Sequence, residues 1–293
     1  MDFNLTEEQL MIQQAARDFA QTELLPGVIE RDNEQKFPYE QVKKMGELGF
    51  LGMMVDPKYG GAGMDSISYV LAMEEIAKVD ASAAVVMSVN NSLVCAGLEK
   101  FASEEQKQKY LVPLAKGEVI GAFALSEPEA GSDATSQKTT AIDMGDHYLL
   151  NGTKNWITNG GNAQYYIVIA QTDVEKKHKG INAFIVEKGW EGFVIGKKEE
   201  KLGIRGSDTH SLMFTDVKVP KENRIGEDGF GFNFAMAVLN GGRIGIASQA
   251  LGIASGAYEL ALKYAKERKA FGTEIINHQA IAFKLADMHV NIM

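Results

Sequence analysis

The sequence predicts an α+β protein in which an antiparallel β domain lies between two helical domains. Hydrophobic residues follow a helical period over residues 1–118, form short strand-like runs between turn residues over 119–226, and return to a helical period over 227–293. We therefore expect three domains with these boundaries, the middle one a β-barrel or β-sandwich. We expect the last domain to be incomplete, because its final amphipathic stretch reaches Met293 without a C-terminal cap.

Local signals place helices in the first region. Thr6 and Gln9 have the spacing of a capping box, in which each side chain bonds to the backbone of the other residue. The alanine-rich stretch over residues 66–100 is apolar on most faces, so we expect it to lie deep in a helical bundle. Cys95, the only cysteine, lies in this stretch. We expect it to serve packing, and the absence of any disulfide favours a reducing compartment.

Turn residues divide the middle region into strands. Residues 119–126 read as a strand that Pro128 ends, since proline has no N–H for a ladder. A hairpin is predicted around Gly145, and Asn151 with Gly152 predicts a further turn. After residue 227 a long helix contains several glycines, which destabilise a helix interior by roughly 1 kcal/mol each relative to alanine. We expect them to allow close approach of a neighbouring backbone or a ligand.

Charge and composition exclude several classes of function. The net charge of -9 argues against broad contact with nucleic acid or an anionic membrane. The five histidines show no metal-ligand spacing, so no metal site is predicted. The sequence also shows no basic signal-peptide start and no apolar run long enough to cross a bilayer, so we expect a cytoplasmic protein without a membrane span.

The stretch over residues 123–135 stands out as a candidate site. An apolar strand delivers a polar turn of small residues, in which Gly131 permits a positive φ and a ligand can approach the backbone. Such an elbow suits a flat heterocycle that carries a phosphate chain. The same residues also fit an ordinary strand end, and the tryptophan run over 155–160 by itself also fits a buried strand.

Four motifs in order resemble those of the acyl-CoA dehydrogenase family, and the likeness runs along the whole chain. They are Leu-Ser-Glu-Pro-x-x-Gly-Ser-Asp at 125–133, Asn-Trp-Ile-Thr-Asn-Gly at 155–160, Glu-Arg-Lys-Ala-Phe-Gly at 267–272, and the opening over 1–9. The likeness is greatest to the short-chain, butyryl-CoA members. It implies an FAD-dependent α,β-dehydrogenation of acyl-CoA to trans-2-enoyl-CoA in fatty acid β-oxidation. It also implies electron-transfer flavoprotein as partner and a homo-oligomer, a tetramer.

The resemblance implies a set of binding residues, with FAD between the β domain and the C-terminal helices. Ser126 would contact the pyrimidine edge of the flavin, Trp156 would pack against its rings, and the Thr158 hydroxyl would lie near N5. Arg268 would reach the pyrophosphate of FAD on a partner subunit. The implied FAD-binding residues are Phe123, Leu125, Ser126, Gly131, Ser132, Trp156, Ile157, Thr158, Arg268, Phe271 and Gln279. The implied acyl-CoA-binding residues are Ser132, Asn240, Gly241, Gly242 and Arg243.

No catalytic residue of this chain is predicted. In most members of the resembled family the glutamate that removes the α-proton lies near the C-terminus, so it is expected beyond Met293. A minority carry it on the long helix, where this chain has Gly242. We therefore expect the 293-residue chain alone to be inactive and poorly stable. The alternatives are a non-catalytic homologue that binds FAD or acyl-CoA or partners a full-length subunit, and, third, an acyl-CoA oxidase or another flavin-dependent relative.

Overall fold

The computed structural model describes residues 4–293 and has the predicted order of helices, sheet and helices. Residues 1–3 of the predicted opening motif lie outside the described residues. Short π-helical segments at Ala20–Leu24, Val89–Cys95 and Lys107–Leu111 extend or join helices of the first region. The α-helices are α1 Glu7–Phe19, α2 Val28–Asn33, α3 Tyr39–Glu47, α4 Ser66–Ala77, α5 Ala81–Ser88, α6 Ala96–Phe101, α7 Glu104–Gln106, α8 Val112–Ala115, α9 Gly231–Glu267 and α10 Gln279–Ile292.

The predicted capping box begins α1. The Gln9 N–H donates to Thr6 Oγ1 over 3.2 Å, and the Thr6 N–H donates to Gln9 Oε1 over 3.1 Å. Gln9 also donates through Nε2 to Asp65 Oδ2 over 2.8 Å, and Asp65 itself caps α4. One local signal therefore also joins the starts of two packed helices.

The helical stretch Ala81–Phe101 forms the centre of the N-terminal bundle. The prediction that no apolar run is long enough to cross a bilayer is wrong by length and composition alone, because this stretch is long and apolar enough, but most of it is buried inside the protein, as expected of a core helix. Cys95 is fully buried there, and burial raises the pKa of its thiol. Asn90 Nδ2 donates to the carbonyls of Leu51 and Leu114, while its Oδ1 accepts the Gly121 N–H over 2.9 Å. This amide joins the helices to the first strand.

The middle region is an eight-stranded sheet, mostly antiparallel as predicted. It departs from the prediction at β4, with which both β1 and β2 pair in parallel. The strand order is β6-β7-β3-β2-β4-β5-β8, with β1 beside β4. The strands are β1 Gly121–Ala124, β2 Thr140–Asp143, β3 His147–Thr158, β4 Tyr165–Gln171, β5 Ile181–Glu187, β6 Phe193–Lys198, β7 Thr209–Pro220 and β8 Arg224–Ile225; the short strands β9 Lys269–Ala270 and β10 Thr273–Glu274 pair separately.

The turn predictions in the sheet had mixed outcomes. The β2–β3 hairpin is confirmed, with Gly145 at φ 98°. The predicted turn at Asn151 and Gly152 is wrong, because both residues lie inside β3 at a shift of register against β7. Gly152 has φ 144°, and a Cβ there would lie 2.5 Å from Thr139 Oγ1. A β-bulge uses the same glycine conformations as a turn, so the local sequence cannot separate the two.

The glycines of α9 confirm the expectation of close approach. Gly245 and Gly252 face α4: a Cβ at Gly245 would lie 2.6 Å from Tyr69 Oη, and one at Gly252 would lie 2.8 Å from Ala77 Cβ. A shared apolar core then joins the helices to one side of the sheet through Leu98, Ile167 and Phe234. A separate core that includes Tyr166, Phe184 and Leu212 fills the other side of the sheet.

Candidate functional site

The predicted tryptophan strand contains an irregular turn of the backbone. The register of β3 against β7 shifts between Lys154 and Ile157. Trp156, within this shift, has φ 63°, a conformation that bulky side chains rarely adopt, and its side chain is 62% exposed. Ile157 points the other way and is 2% exposed in the sheet core. The bulge therefore presents an indole at the surface, while Ile157 offers a ligand only its backbone.

The elbow after β1 is closed by a different bond pattern from the one predicted. The Glu127 N–H donates to the Ala130 carbonyl over 3.0 Å, and the Ala130 N–H donates back over 3.2 Å. Gly131 does not use the positive φ that a glycine permits, because this two-residue pairing already makes the turn. A Cβ at Gly131 would meet nothing within 4 Å, so the elbow is open on that side.

The elbow and the bulge are joined by two hydrogen bonds. The Asn155 N–H donates to the Ser126 carbonyl over 2.8 Å, and Lys154 Nζ donates to the Leu125 carbonyl over 2.9 Å. These bonds place Ser126 beside the start of the Trp156 bulge. The structure thus brings together two motifs that the sequence placed some 30 residues apart.

A buried ion pair lies beneath this junction, and no pattern in the sequence predicts it. Lys154 Nζ lies 2.7 Å from Glu127 Oε1, and the two side chains are 0% and 4% exposed. Gln137 Oε1 accepts a further bond from Lys154 over 2.9 Å. Burial lowers the pKa of Lys154 to about 8 even though Glu127 opposes this shift. Burial raises the pKa of Glu127, but the charge of Lys154 and the hydrogen bonds from Lys154, Thr139 and Lys138 outweigh burial and leave the pKa below its usual value.

Several polar groups at the junction are free of protein partners. In the part of the chain that the structure describes, the hydroxyls of Ser126, Ser132 and Thr158 and the N–H of Ser126 have no hydrogen-bond partner. Phe123, at the end of the strand, is 9% exposed and belongs to the core against the helices. Free donors beside an exposed indole fit a flat ring that carries hydrogen-bond acceptors, which is the donor set a flavin needs.

Four of the five predicted acyl-CoA residues share one turn of α9, whereas Ser132 lies on the elbow after β1. Arg243 donates to Asn240 Oδ1, and both side chains are exposed. A Cβ at Gly241 would meet nothing within 4 Å, whereas Gly242 is buried, with Leu93 Cδ2 2.9 Å from the position of a Cβ. The face of α9 that carries Arg243 is therefore open, and Gly242 itself belongs to the packed side.

The third predicted group lies on the hairpin between α9 and α10. Phe271 is 98% exposed at φ 53°, and Arg268 and Gln279 are exposed as well. The Ile275 N–H donates to the Arg268 carbonyl over 2.8 Å, and His278 Nε2 bonds to the Ala270 carbonyl. These two hydrogen bonds thus join residues of the same hairpin. The structure does not bond these side chains to the elbow, so their role remains a prediction.

A metal centre finds no support in the described residues. Within residues 4–293 no group of three or more histidine, cysteine, aspartate or glutamate side chains is placed to hold a metal ion.

Comparison with known families defines the class of protein. Three family models match the chain in order: the N-terminal domain of acyl-CoA dehydrogenase over residues 6–118, the middle domain over 122–217 and the C-terminal domain over 229–293. The chain belongs to the acyl-CoA dehydrogenase family. A short-chain-specific acyl-CoA dehydrogenase of Clostridium acetobutylicum is 53% identical over 292 residues, which are 100% of this chain and 77% of that protein.

Solved structures agree with this family. A chain in a structure described as an electron transferring flavoprotein of Acidaminococcus fermentans matches with a TM-score of 0.98 and 51% identity, over 100% of this chain and 77% of that one. Butyryl-CoA dehydrogenase from Megasphaera elsdenii matches with a TM-score of 0.97 and 49% identity, with the same coverage of 100% and 77%. A glutaryl-CoA dehydrogenase from Mycobacterium smegmatis in complex with FADH2 matches with a TM-score of 0.93 and 35% identity, over 98% and 73%.

Proposed function

We propose that this protein is an FAD-dependent dehydrogenase that converts short-chain acyl-CoA to trans-2-enoyl-CoA and passes the electrons to electron-transfer flavoprotein. The observation that carries the proposal is the junction of elbow and bulge, which places the free groups of Ser126 and Thr158 beside the exposed Trp156. Family membership and the short-chain relative with 53% identity support the reaction and the substrate class.

Each residue of the junction has a task that its chemistry suits. FAD, when bound, supplies the acceptor for the two electrons and the hydrogen that leave the β-carbon of the acyl chain. The N–H and hydroxyl of Ser126 would donate to the polar edge of the ring. The Thr158 hydroxyl would donate where negative charge develops during transfer, and a donor held in place there stabilises such charge. The Trp156 indole would cover the ring and exclude water.

The open face of α9 suits the coenzyme A part of the substrate. Arg243 keeps its positive charge and offers paired donors, which match a phosphate or a polar carbonyl. Asn240 holds the guanidinium through its side-chain oxygen and fixes its direction. Ser132 on the elbow offers a free hydroxyl to the same substrate. These roles follow the resemblance and remain part of the proposal.

The carboxylates of the elbow favour a second candidate function. Glu127 is paired with Lys154, Glu129 with Lys138, and Asp133 accepts hydrogen bonds from the hydroxyls of Thr135 and Ser136. None of these three is free to remove the α-proton of an acyl thioester, and Gly242 has no side chain. A protein that binds FAD and acyl-CoA without turnover is therefore the alternative that the experiment must separate.

We also propose an oligomeric state and a cellular location for the protein. The 98% exposure of Phe271 suits a hairpin that inserts into a partner subunit, with Arg268 beside it for the pyrophosphate of the partner's FAD. This arrangement requires a homo-oligomer, for which we propose a tetramer in the cytoplasm. Domain boundaries at 118/119 and 226/227 complete the proposal.

One anaerobic titration tests the function. The protein purified from its native gene is expected to be yellow, and butyryl-CoA is expected to bleach the flavin absorbance, which electron-transfer flavoprotein then restores. Octanoyl-CoA and palmitoyl-CoA, added at the same concentration, should bleach it more slowly. Yellow protein that no acyl-CoA bleaches supports the non-catalytic alternative, and restoration by oxygen faster than by electron-transfer flavoprotein supports an oxidase. A colourless protein contradicts the proposal.

A further inference from the structure

The buried lysine beneath the elbow uses its full bonding capacity. Lys154 is 0% exposed, and Nζ donates to the Leu125 carbonyl at 2.9 Å, to Glu127 Oε1 at 2.7 Å and to Gln137 Oε1 at 2.9 Å. An ammonium group has three donors, so none is left over. A buried ion pair is often no more stabilising than apolar side chains of similar size, so stability alone does not account for a lysine here.

The bond to Leu125 sets the direction of the next N–H. A trans peptide is planar, and its C=O and N–H point in opposite directions. With the Leu125 carbonyl turned inward to Lys154, the N–H of Ser126 must point away from the buried pair. That N–H has no hydrogen-bond partner in the described chain, and the carbonyl of the same residue accepts the Asn155 N–H at the start of the Trp156 bulge.

Regular strand pairing does not hold this peptide in place. β1 ends at Ala124, and the register of β3 is interrupted after Lys154. Among the described residues, the hydrogen bonds from Leu125 and Ser126 to β3 are the Lys154 side-chain bond and the Asn155 backbone bond. The side chain of Lys154 therefore replaces a missing ladder bond at the point where the ligand site begins.

Glu127 holds the far end of the elbow in place through hydrogen bonds of its own. Its carboxylate accepts the Lys138 N–H over 2.6 Å and the Thr139 N–H over 3.1 Å, in addition to the bond from Lys154. One buried carboxylate thus closes the loop that runs from 127 to 139, in which Ser132 lies. Neutralising Lys154 alone would leave this charge buried without its partner, which destabilises proteins strongly.

We propose that Lys154, with Glu127 as its counter-charge and Gln137 as its third partner, is a positioning residue that aims the Ser126 N–H and hydroxyl at bound FAD. This inference rests on the proposed function. It assigns the buried pair to the orientation of the cofactor edge, not to proton removal.

A charge-neutral double variant tests this role without leaving a lone buried charge. Lys154→Met with Glu127→Gln keeps the side-chain volumes and retains an oxygen that can accept the Lys138 and Thr139 N–H groups. The matched control is Arg17→Met with Glu75→Gln, which removes another ion pair, in the N-terminal helices, where Glu75 is 3% exposed. Dissociation of FAD is measured by titration of apoprotein, the two-electron reduction potential of bound flavin by dye equilibration, and folding by thermal unfolding.

The positioning role predicts a change that a purely structural role would not produce. The Lys154/Glu127 variant should bind FAD at least tenfold more weakly, and its potential should fall by about 30 mV for each tenfold by which the reduced flavin loses more affinity than the oxidised flavin. The Arg17/Glu75 control should keep FAD affinity within about threefold and leave the potential unchanged, whatever its melting temperature. Equal affinity and potential in the wild type and the Lys154/Glu127 variant would overturn the inference alone.

A milder variant covers the case in which the double variant does not fold. Gln137→Met removes one of the three bonds to Lys154 and leaves the ion pair intact. It should weaken FAD binding about threefold and lower the potential by up to about 15 mV, a smaller change because two of the anchors remain. An unchanged potential in this variant overturns the inference. A wild-type protein that takes up no FAD at all overturns the proposed function as well.

Discussion

The contact between α9 and α4 gives a sharp test of packing, because it depends on glycine. A Cβ at Gly252 would lie 2.8 Å from Ala77 Cβ and closer still to the Glu74 carbonyl oxygen. Two carbon atoms pack best at about 3.5–4.0 Å, so Gly252→Ala would require the helices to separate by about 1 Å. Part of the obstruction is main chain, which cannot rotate out of the way.

The expected loss can be estimated from two opposing effects. Overpacking of a close contact typically destabilises by about 1–3 kcal/mol, and the rigid obstruction favours the upper end. Alanine stabilises a helix by about 1 kcal/mol relative to glycine through its higher helix propensity, which offsets part of this loss. The net loss expected for Gly252→Ala is therefore about 2 kcal/mol, or about 4–8 °C in melting temperature for a protein of this size.

Gly241→Ala is the matched control in the same helix. Nothing lies within 4 Å of a Cβ at Gly241, so only the propensity gain of about 1 kcal/mol applies and the protein should become more stable. Urea unfolding followed by circular dichroism measures both variants. If Gly252→Ala proved as stable as Gly241→Ala, α9 and α4 would not be in contact as described, and the reasoning would be refuted.

Three further predictions concern acid stability, the thiol and the site. Burial raises the pKa of Glu75, but the Arg17 hydrogen bond and the charge of Lys78 lower it below the unfolded value of 4.5. The folded carboxylate is thus favoured above pH 4.5, and the stability advantage of wild type over Glu75→Gln in urea unfolding should shrink as pH falls below that value. Cys95, fully buried with a raised thiol pKa, should react with a thiol reagent no faster than the protein unfolds; rapid labelling of native protein would contradict this. Thr158→Val should slow flavin reduction by butyryl-CoA about 10²–10³-fold in stopped-flow measurements with little change in melting temperature, and an unchanged rate would exclude the proposed donor.

The sequence was a good guide wherever short-range chemistry decides the conformation. Thr6 and Gln9 interact within one turn, and Gly145 needs only its own φ to close a hairpin. The period of the apolar residues placed the three regions, because burial of one face follows directly from that period. The fold class was therefore accessible without coordinates.

The site was accessible only in part, for a physical reason. Lys154 stands between polar residues in the sequence and shows no sign of burial, since its partner Glu127 is 27 positions away and meets it only in the folded sheet. Gly131 permits a positive φ, but the pairing of neighbouring residues makes that conformation unnecessary. A motif indicates which residues meet a ligand, but the side chains that hold the motif in place are selected by tertiary contacts.

The side-chain amide of Asn90 affects the cooperativity of unfolding. It bonds to the loop after α3, to the end of α8 and to the start of β1, all within the interior. If any one of these three segments unfolds, a buried polar group loses its hydrogen-bond partner, and the resulting free-energy cost destabilises the other two segments as well. Nicking the backbone between residues 118 and 121 should therefore not release a self-standing helical fragment, and helices and sheet should melt in a single shared transition.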